Sequence, residues 1–158
     1  MENANAEASI DIDAPPELVY DLIADVTTMP EWAAETHRCR WLGGATEAVV
    51  GAKFRGSNRH KGRRWSTTCT VTAAERGRRF AFDVGGLGIR TAEWEYVIEP
   101  REGGCRVTES TRRLVPAVFV KVSNWLVGVR DRDAHNRANI ERTLAGLKRH
   151  AEARAVSR

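Results

Sequence analysis

The residues best placed to do chemistry are polar side chains spaced among apolar ones: Asn58, Thr67, Tyr96, Glu109, Thr111 and Asn136. Each falls in alternating or helical phase with Trp, Phe, Val or Ile, and so shares their inward face. A buried polar group must be hydrogen-bonded, and a buried carboxylate must be paired or keep its proton to higher pH. On a structural reading, Asn58 and Thr67 bond across strands and Glu109 pairs with Arg55 or Arg113. On a functional reading, they line a cavity and orient the polar end of a ligand, as in most small-molecule sites. Both readings stay open at this point. Glu109 and Tyr96 are the candidates for acid–base catalysis.

Other reactive residue types form no constellation along the chain. His60 lies in a basic turn and His150 near a helix end, so both read as surface residues. His37 and His135 have no carboxylate or cysteine at ligand spacing in sequence, and no H-E-x-x-H occurs. No metal site and no cofactor are therefore expected. Cys39, Cys69 and Cys105 are odd in number and lack C-x-x-C pairing, which argues against a disulfide framework and for a reducing compartment. Cys69 and Cys105 alternate with core-facing residues and read as inert packing. Gly85-Gly86-Leu87-Gly88 lacks the lysine and helix of a phosphate loop, and reads as a hairpin turn.

These side chains need elements to position them. Residues 9–13 alternate, with Ile10 and Ile12 opposite Ser9, Asp11 and Asp13, which is the period of a half-buried strand. Ala14-Pro15-Pro16 stops the strand, since proline gives no ladder donor and suits a helix's first turn. From Pro16 onward, Leu18, Val19, Leu22, Ile23 and Val26 make a helical stripe, closed by Met29-Pro30-Glu31-Trp32. Six further strands follow, separated by short turns that mostly contain glycine. Residues 35–42 place His37, Cys39 and Trp41 on one face; residues 51–60 do so with Phe54, Gly56 and Asn58. Residues 64–75 group Trp65, Thr67, Cys69, Val71 and Ala73, and the fifth strand groups Phe80, Phe82 and Val84. Residues 89–99 face Ala92, Trp94, Tyr96 and Ile98 inward, and residues 105–114 do so with Cys105, Val107, Glu109 and Thr111. The pattern predicts a seven-stranded antiparallel meander with one wet face.

Residues 114–129 carry a single charge and read as a buried helix, a gate over a cavity mouth, or an apolar contact with a membrane or second subunit. From Arg130 to about residue 153 the pattern is helical, with Val129, Ile140, Leu144, Leu147 and Ala151 on one stripe. Continuing the stripe backwards puts Asp133 and Asn136 toward the core, while Arg132, Arg142, Lys148 and Arg149 face outward. The last residues read as a frayed end.

The ordered set of Pro15-Pro16, Pro30-Glu31-Trp32, Val50 to Phe54, Arg63-Arg64-Trp65, Arg79 to Phe82, Trp94-Glu95-Tyr96, Gly103 to Ser110 and Leu144 to Lys148 resembles the START-like superfamily. That superfamily (SRPBCC, or Bet v 1-like) includes polyketide cyclase/dehydrase proteins, and the resemblance covers roughly residues 7–152. It implies an α+β helix-grip fold, in which a curved sheet wraps a long C-terminal helix around an apolar cavity. It says little about the ligand, because the superfamily holds both carriers and enzymes. The expected lining is Trp41, Phe54, Asn58, Trp65, Thr67, Cys69, Phe82, Trp94, Tyr96, Glu109, Thr111, Trp125, Asn136 and Ile140.

With 158 residues, the chain reads as one START-like domain over 1–158, ordered from about 7 to 152. The acidic, polar opening from Met1 to Glu7 is unlike a signal peptide, and no apolar run reaches the ~20 residues of a membrane span. A cytoplasmic protein, monomeric or weakly dimeric, is expected, with transient membrane contact left open. Net charge is +4, with arginines clustered at 59–64, 76–79, 112–113 and 130–132. These fall largely in turns and rims, so solvated surface is preferred over a nucleic-acid site. Three functions are carried forward. The first is binding of a hydrophobic small molecule such as a lipid, polyketide or isoprenoid. The second is a cyclase, aromatase or dehydratase using the same cavity. The third is a regulatory interaction module acting through its basic surface.

Overall fold

The computed structural model describes residues 1–86, 88–115 and 131–157. Strand β1, Ala6–Ile12, alternates between buried and exposed side chains and ends where Pro15 and Pro16 open helix α1, Pro16–Ala24. Proline occupies the first helical position, where its missing N–H leaves no bond unmade. Leu18, Val19, Leu22, Ile23 and Val26 are all buried, as the stripe predicts. A 3-10 turn, Val26–Thr28, leads into the one-turn helix α2, Met29–Trp32.

Six strands then run as a meander: β2 (Thr36–Leu42), β3 (Lys53–His60), β4 (Arg63–Glu75), β5 (Arg79–Gly86), β6 (Ile89–Arg101) and β7 (Gly104–Arg113). The antiparallel sheet has the order β1-β7-β6-β5-β4-β3-β2, with β1 returning to pair with β7. His60 pairs with Arg63 across Lys61-Gly62, whose φ angles of 45° and 78° suit the twist of a two-residue hairpin. Register shifts at Thr36/Arg38, Val71/Ala73 and Val84/Gly85 bend the sheet. The first of these corrects the sequence reading. His37 is the extra residue and is exposed, so Thr36 takes its place on the face where Cys39 is buried.

Helix α3, Arg132–Val156, lies in the concave face, completing the helix-grip fold. Asp131 caps it, its side chain accepting from the N–H groups of Asp133 and Ala134 at 3.1 Å each. Ile140, Leu144, Leu147 and Ala151 are at most 1 % exposed and seal the C-terminal half against the sheet and α1. Near its end, Glu152 accepts from the Asp13 N–H at 2.9 Å and Lys148 donates to the Asp11 carbonyl at 2.7 Å. Arg132 is not on the outward side as expected: it is half-buried at the start of the helix. Trp125, Val129 and the rest of the apolar stretch to Arg130, beyond Val115, lie outside the described residues.

Helix α3 reaches α2 by a close approach at Gly146, where a Cβ would sit 2.2 Å from the Trp32 carbonyl oxygen. Alanine is the better helix former by about 1 kcal/mol. Here that gain is outweighed, because backbone must move to admit the methyl. Gly146→Ala is expected to destabilise the fold by about 1–3 kcal/mol, read as a lower urea midpoint with an unchanged denaturant slope.

Candidate functional site

The two halves of α3 differ in what they present to the sheet. Arg132, Asn136, Asn139 and Thr143 recur at i, i+4, i+7 and i+11, so they share a face, and that face is polar. Below them the apolar stripe closes the core. Above it, sheet and helix stand apart around a cavity of about 720 Å³, within the usual range for small-molecule sites.

Phe54, Gly56 and Asn58 of β3, Trp65, Thr67 and Cys69 of β4, and Phe82 and Val84 of β5 form one wall. Trp94 and Tyr96 of β6 and Glu109 and Thr111 of β7 form the next, with Asn136, Asn139 and Thr143 opposite. Two residues expected in the lining are outside it. Trp41 packs edge-on against Phe54, ring centroids 5.8 Å apart, and Ile140 is wholly buried in the core. Trp125 lies outside the described residues.

The polar side chains are bonded unequally. Asn58 accepts from the Thr36 hydroxyl at 3.1 Å, and Thr111 donates to the Glu93 carbonyl at 3.0 Å. Glu109 pairs with neither suggested arginine: Arg55 is exposed on the opposite face, and Arg113 pairs with Asp133. Instead the Tyr96 hydroxyl donates to Glu109 Oε1 at 2.8 Å, deep in the interior. Trp32 stands edge-on to Tyr96, centroids 6.3 Å apart, and holds its ring in place.

Burial pushes the Glu109 carboxyl up to about 8, and the Tyr96 hydrogen bond only partly opposes this. Glu109 is thus a neutral acid at neutral pH. Burial, with the carboxyl beside it, also raises the Tyr96 phenol well above its ordinary value, so it remains a donor. Among the described residues, Glu109 Oε2 has no hydrogen-bond partner, and neither does Asn139 Oδ1. Burial raises the Cys39 and Cys69 thiols to about 12 and that of Cys105 to about 11, which makes all three poor nucleophiles. Burial lowers the Arg132 guanidinium, with Arg113 adding to the effect.

A second group gathers at the edge of the cavity. Glu35 Oε1 lies 3.0 Å from His60 Nδ1 and 2.7 Å from His135 Nε2. This corrects the reading of His60 as a plain surface residue, and gives His135 a carboxylate neighbour that is distant in sequence. His150 is also paired, 2.8 Å from Glu31. Of the arginines, Arg76 pairs with Asp21, Arg79 with Glu95, Arg90 with Asp83 and Arg112 with Glu93. Among the described residues, no helix is long and apolar enough to cross a membrane.

Comparison with known proteins fits this architecture. Residues 3–152 match the family described as polyketide cyclase / dehydrase and lipid transport. A Polyketide_cyc-like protein of Corynebacterium glutamicum is 30% identical, with 98% of this chain and 95% of that one covered at a TM-score of 0.61. The di-domain ARO/CYC protein of the steffimycin biosynthetic pathway shares the fold at 15% identity and a TM-score of 0.71, covering 95% of this chain and 51% of that one. The Aha1 dimer of Colwellia psychrerythraea shares it at 18% identity and 0.65, covering 93% and 95%. No curated protein matches the chain. The match along nearly the whole chain, on a helix-grip frame with an open cavity, shows that this protein belongs to the polyketide cyclase / dehydrase and lipid transport family.

Proposed function

We propose that the protein binds a hydrophobic small molecule of lipid, polyketide or isoprenoid type, with its apolar body among the aromatic side chains and a polar group at Glu109. The observation that carries this reading is the buried Tyr96–Glu109 pair set in the wall of a cavity of about 720 Å³. An enclosed apolar ligand gains about 25 cal/mol per Å² of buried surface. A neutral carboxylic acid adds a hydrogen-bond donor to a carbonyl or hydroxyl of the ligand, without the cost of burying a charge. The known relatives include the ARO/CYC protein named above, which supports a polyketide-like ligand among these classes.

The protonated state of Glu109 also favours a second reading, a dehydratase or cyclase acting on the bound chain. The acid would give its proton to a departing hydroxyl. The resulting carboxylate would then take a proton from the carbon next to the chain's carbonyl, so that only water is lost.

Binding is tested with the fluorescent probe anilinonaphthalene sulfonate, competed by fatty acids and aromatic polyketides. Val84→Trp, which fills the cavity from β5, is expected to weaken probe binding at least about tenfold, or ~1.4 kcal/mol, while the protein stays folded. Equal binding by both proteins would remove the cavity from the account. Glu109→Gln separates carrier from enzyme: a carrier keeps binding with altered affinity, whereas an enzyme keeps binding and loses turnover.

Glu109 also sets a pH dependence. The folded chain holds this proton up to about 8, whereas an unfolded chain releases it near 4.5. Between those values the folded state binds more protons, so its stability falls as pH rises through the window. Urea titrations at several pH values should show that decline in the parent protein and a flatter profile in Glu109→Gln.

A further inference from the structure

Glu35, His60 and His135 come from three separate elements and meet with one ligand atom each, all within 4.8 Å of one another. Glu35 immediately precedes β2, His60 ends β3, and His135 lies in the first turn of α3. The backbone holds each in place. The Arg59 N–H donates to the Glu35 carbonyl at 2.9 Å, and the His135 N–H donates to the Asp131 carbonyl at 3.0 Å. The His60 and His135 rings stand nearly perpendicular, centroids 4.5 Å apart, and their side chains are only 17% and 16% exposed.

Two imidazole nitrogens crowd the same carboxylate oxygen, yet Glu35 Oε1 is buried and accepts no aligned hydrogen bond from either. Three possible ligand atoms from three separate elements thus converge on one point. We propose that Glu35, His60 and His135 form a binding site for a divalent first-row transition metal, Zn²⁺ or Fe²⁺ in type. Two imidazoles and one carboxylate are a recognised donor set for these ions. Metal–ligand bonds of about 2.0–2.1 Å place neighbouring ligand atoms roughly 3.3 Å apart. The observed 2.7 and 3.0 Å spacings would open by roughly 0.6 and 0.3 Å to reach it.

Three protein ligands leave coordination positions free. Glu35 lines the cavity, as do Asn58, two residues before His60 on the same strand face, and Asn136, next to His135. A free position on the metal is therefore at the cavity's edge, where water or an oxygen of an enclosed molecule could fill it. Arg132 acts against the ion, since its guanidinium lies close enough to feel Glu35. Asp133 lies close enough to offset part of the Arg132 charge.

The test is titration of untagged, chelator-treated protein with Co²⁺ at neutral pH, read by visible d–d absorption and by calorimetry, with Zn²⁺ as competitor. One equivalent should bind with an absorption band, and Zn²⁺ should abolish it. His60→Ala and His135→Ala should each weaken binding beyond the roughly 10–100-fold typical of losing a supporting hydrogen bond to a ligand. Glu35→Gln should weaken it in the same direction, and His37→Ala, on the exposed bulge of β2, should leave it unchanged. Absence of heat and absorption in the parent protein would overturn the proposal. So would undiminished binding in the His60 and His135 variants. Both readouts are independent of the hydrophobic ligand, so the site stands or falls apart from the carrier reading.

Discussion

The contact between the Trp32 carbonyl and Gly146 is the constraint on which the rest of the structure depends. It locks the long helix against the short one at a separation only glycine allows. From the same residue, the Trp32 indole reaches the Thr28 hydroxyl and its ring braces Tyr96. One side chain and its carbonyl thus tie helix position to the orientation of the phenol that holds Glu109. Below this point α3 carries Leu144, Leu147 and Ala151 and the core is closed. Above it the helix turns Asn136, Asn139 and Thr143 to the sheet and the core opens.

That change of character explains why the interior is polar where it is hollow. A carboxyl in a closed apolar core would have no partner to offset its burial. Beside a cavity it retains one good hydrogen bond from Tyr96 and one oxygen without a partner among the described residues. Burial is the dominant cause of the raised Glu109 value, since among the described residues no basic side chain is placed to hold the charged form. Arginines pair instead with Asp11 of β1, Asp21 of α1, Asp83 of β5, and Glu93 and Glu95 of β6. The exposed pairs at Asp11 and Asp21 add little stability each, whereas those at Asp83 and Glu95 offset the burial of a carboxylate; all absorb charge that a nucleic-acid face would need to present.

Much of the fold was legible because its signals are local. Alternation at Ile10 and Ile12, the Pro15-Pro16 corner and the Lys61-Gly62 turn each specify a conformation within a few residues. Inward alternation also located Asn58, Thr67, Tyr96, Glu109 and Thr111, since strand period fixes the face. It failed where the period breaks. The bulge after Thr36 turned His37 outward, and periodicity cannot foresee an inserted residue. Trp41 was inward-facing in pattern, yet it covers Phe54 instead of reaching the cavity. The Arg132–Asn136–Asn139–Thr143 spacing was a usable sign of a wet half-helix, of which only Asn136 was read. The meeting of Glu35, His60 and His135 had no local sign at all. It depends on how β3 and α3 come together, which is a tertiary fact.

The central claim is that a neutral Glu109 is the polar end of a ligand cavity. Carbon-13 NMR of the Glu109 side-chain carboxyl, followed through a pH titration with and without a fatty acid, tests it most directly. The account predicts a midpoint near 8 in the free protein and a displaced midpoint and chemical shift once the fatty acid is bound. A midpoint near the ordinary 4.5, unmoved by the fatty acid, would contradict it.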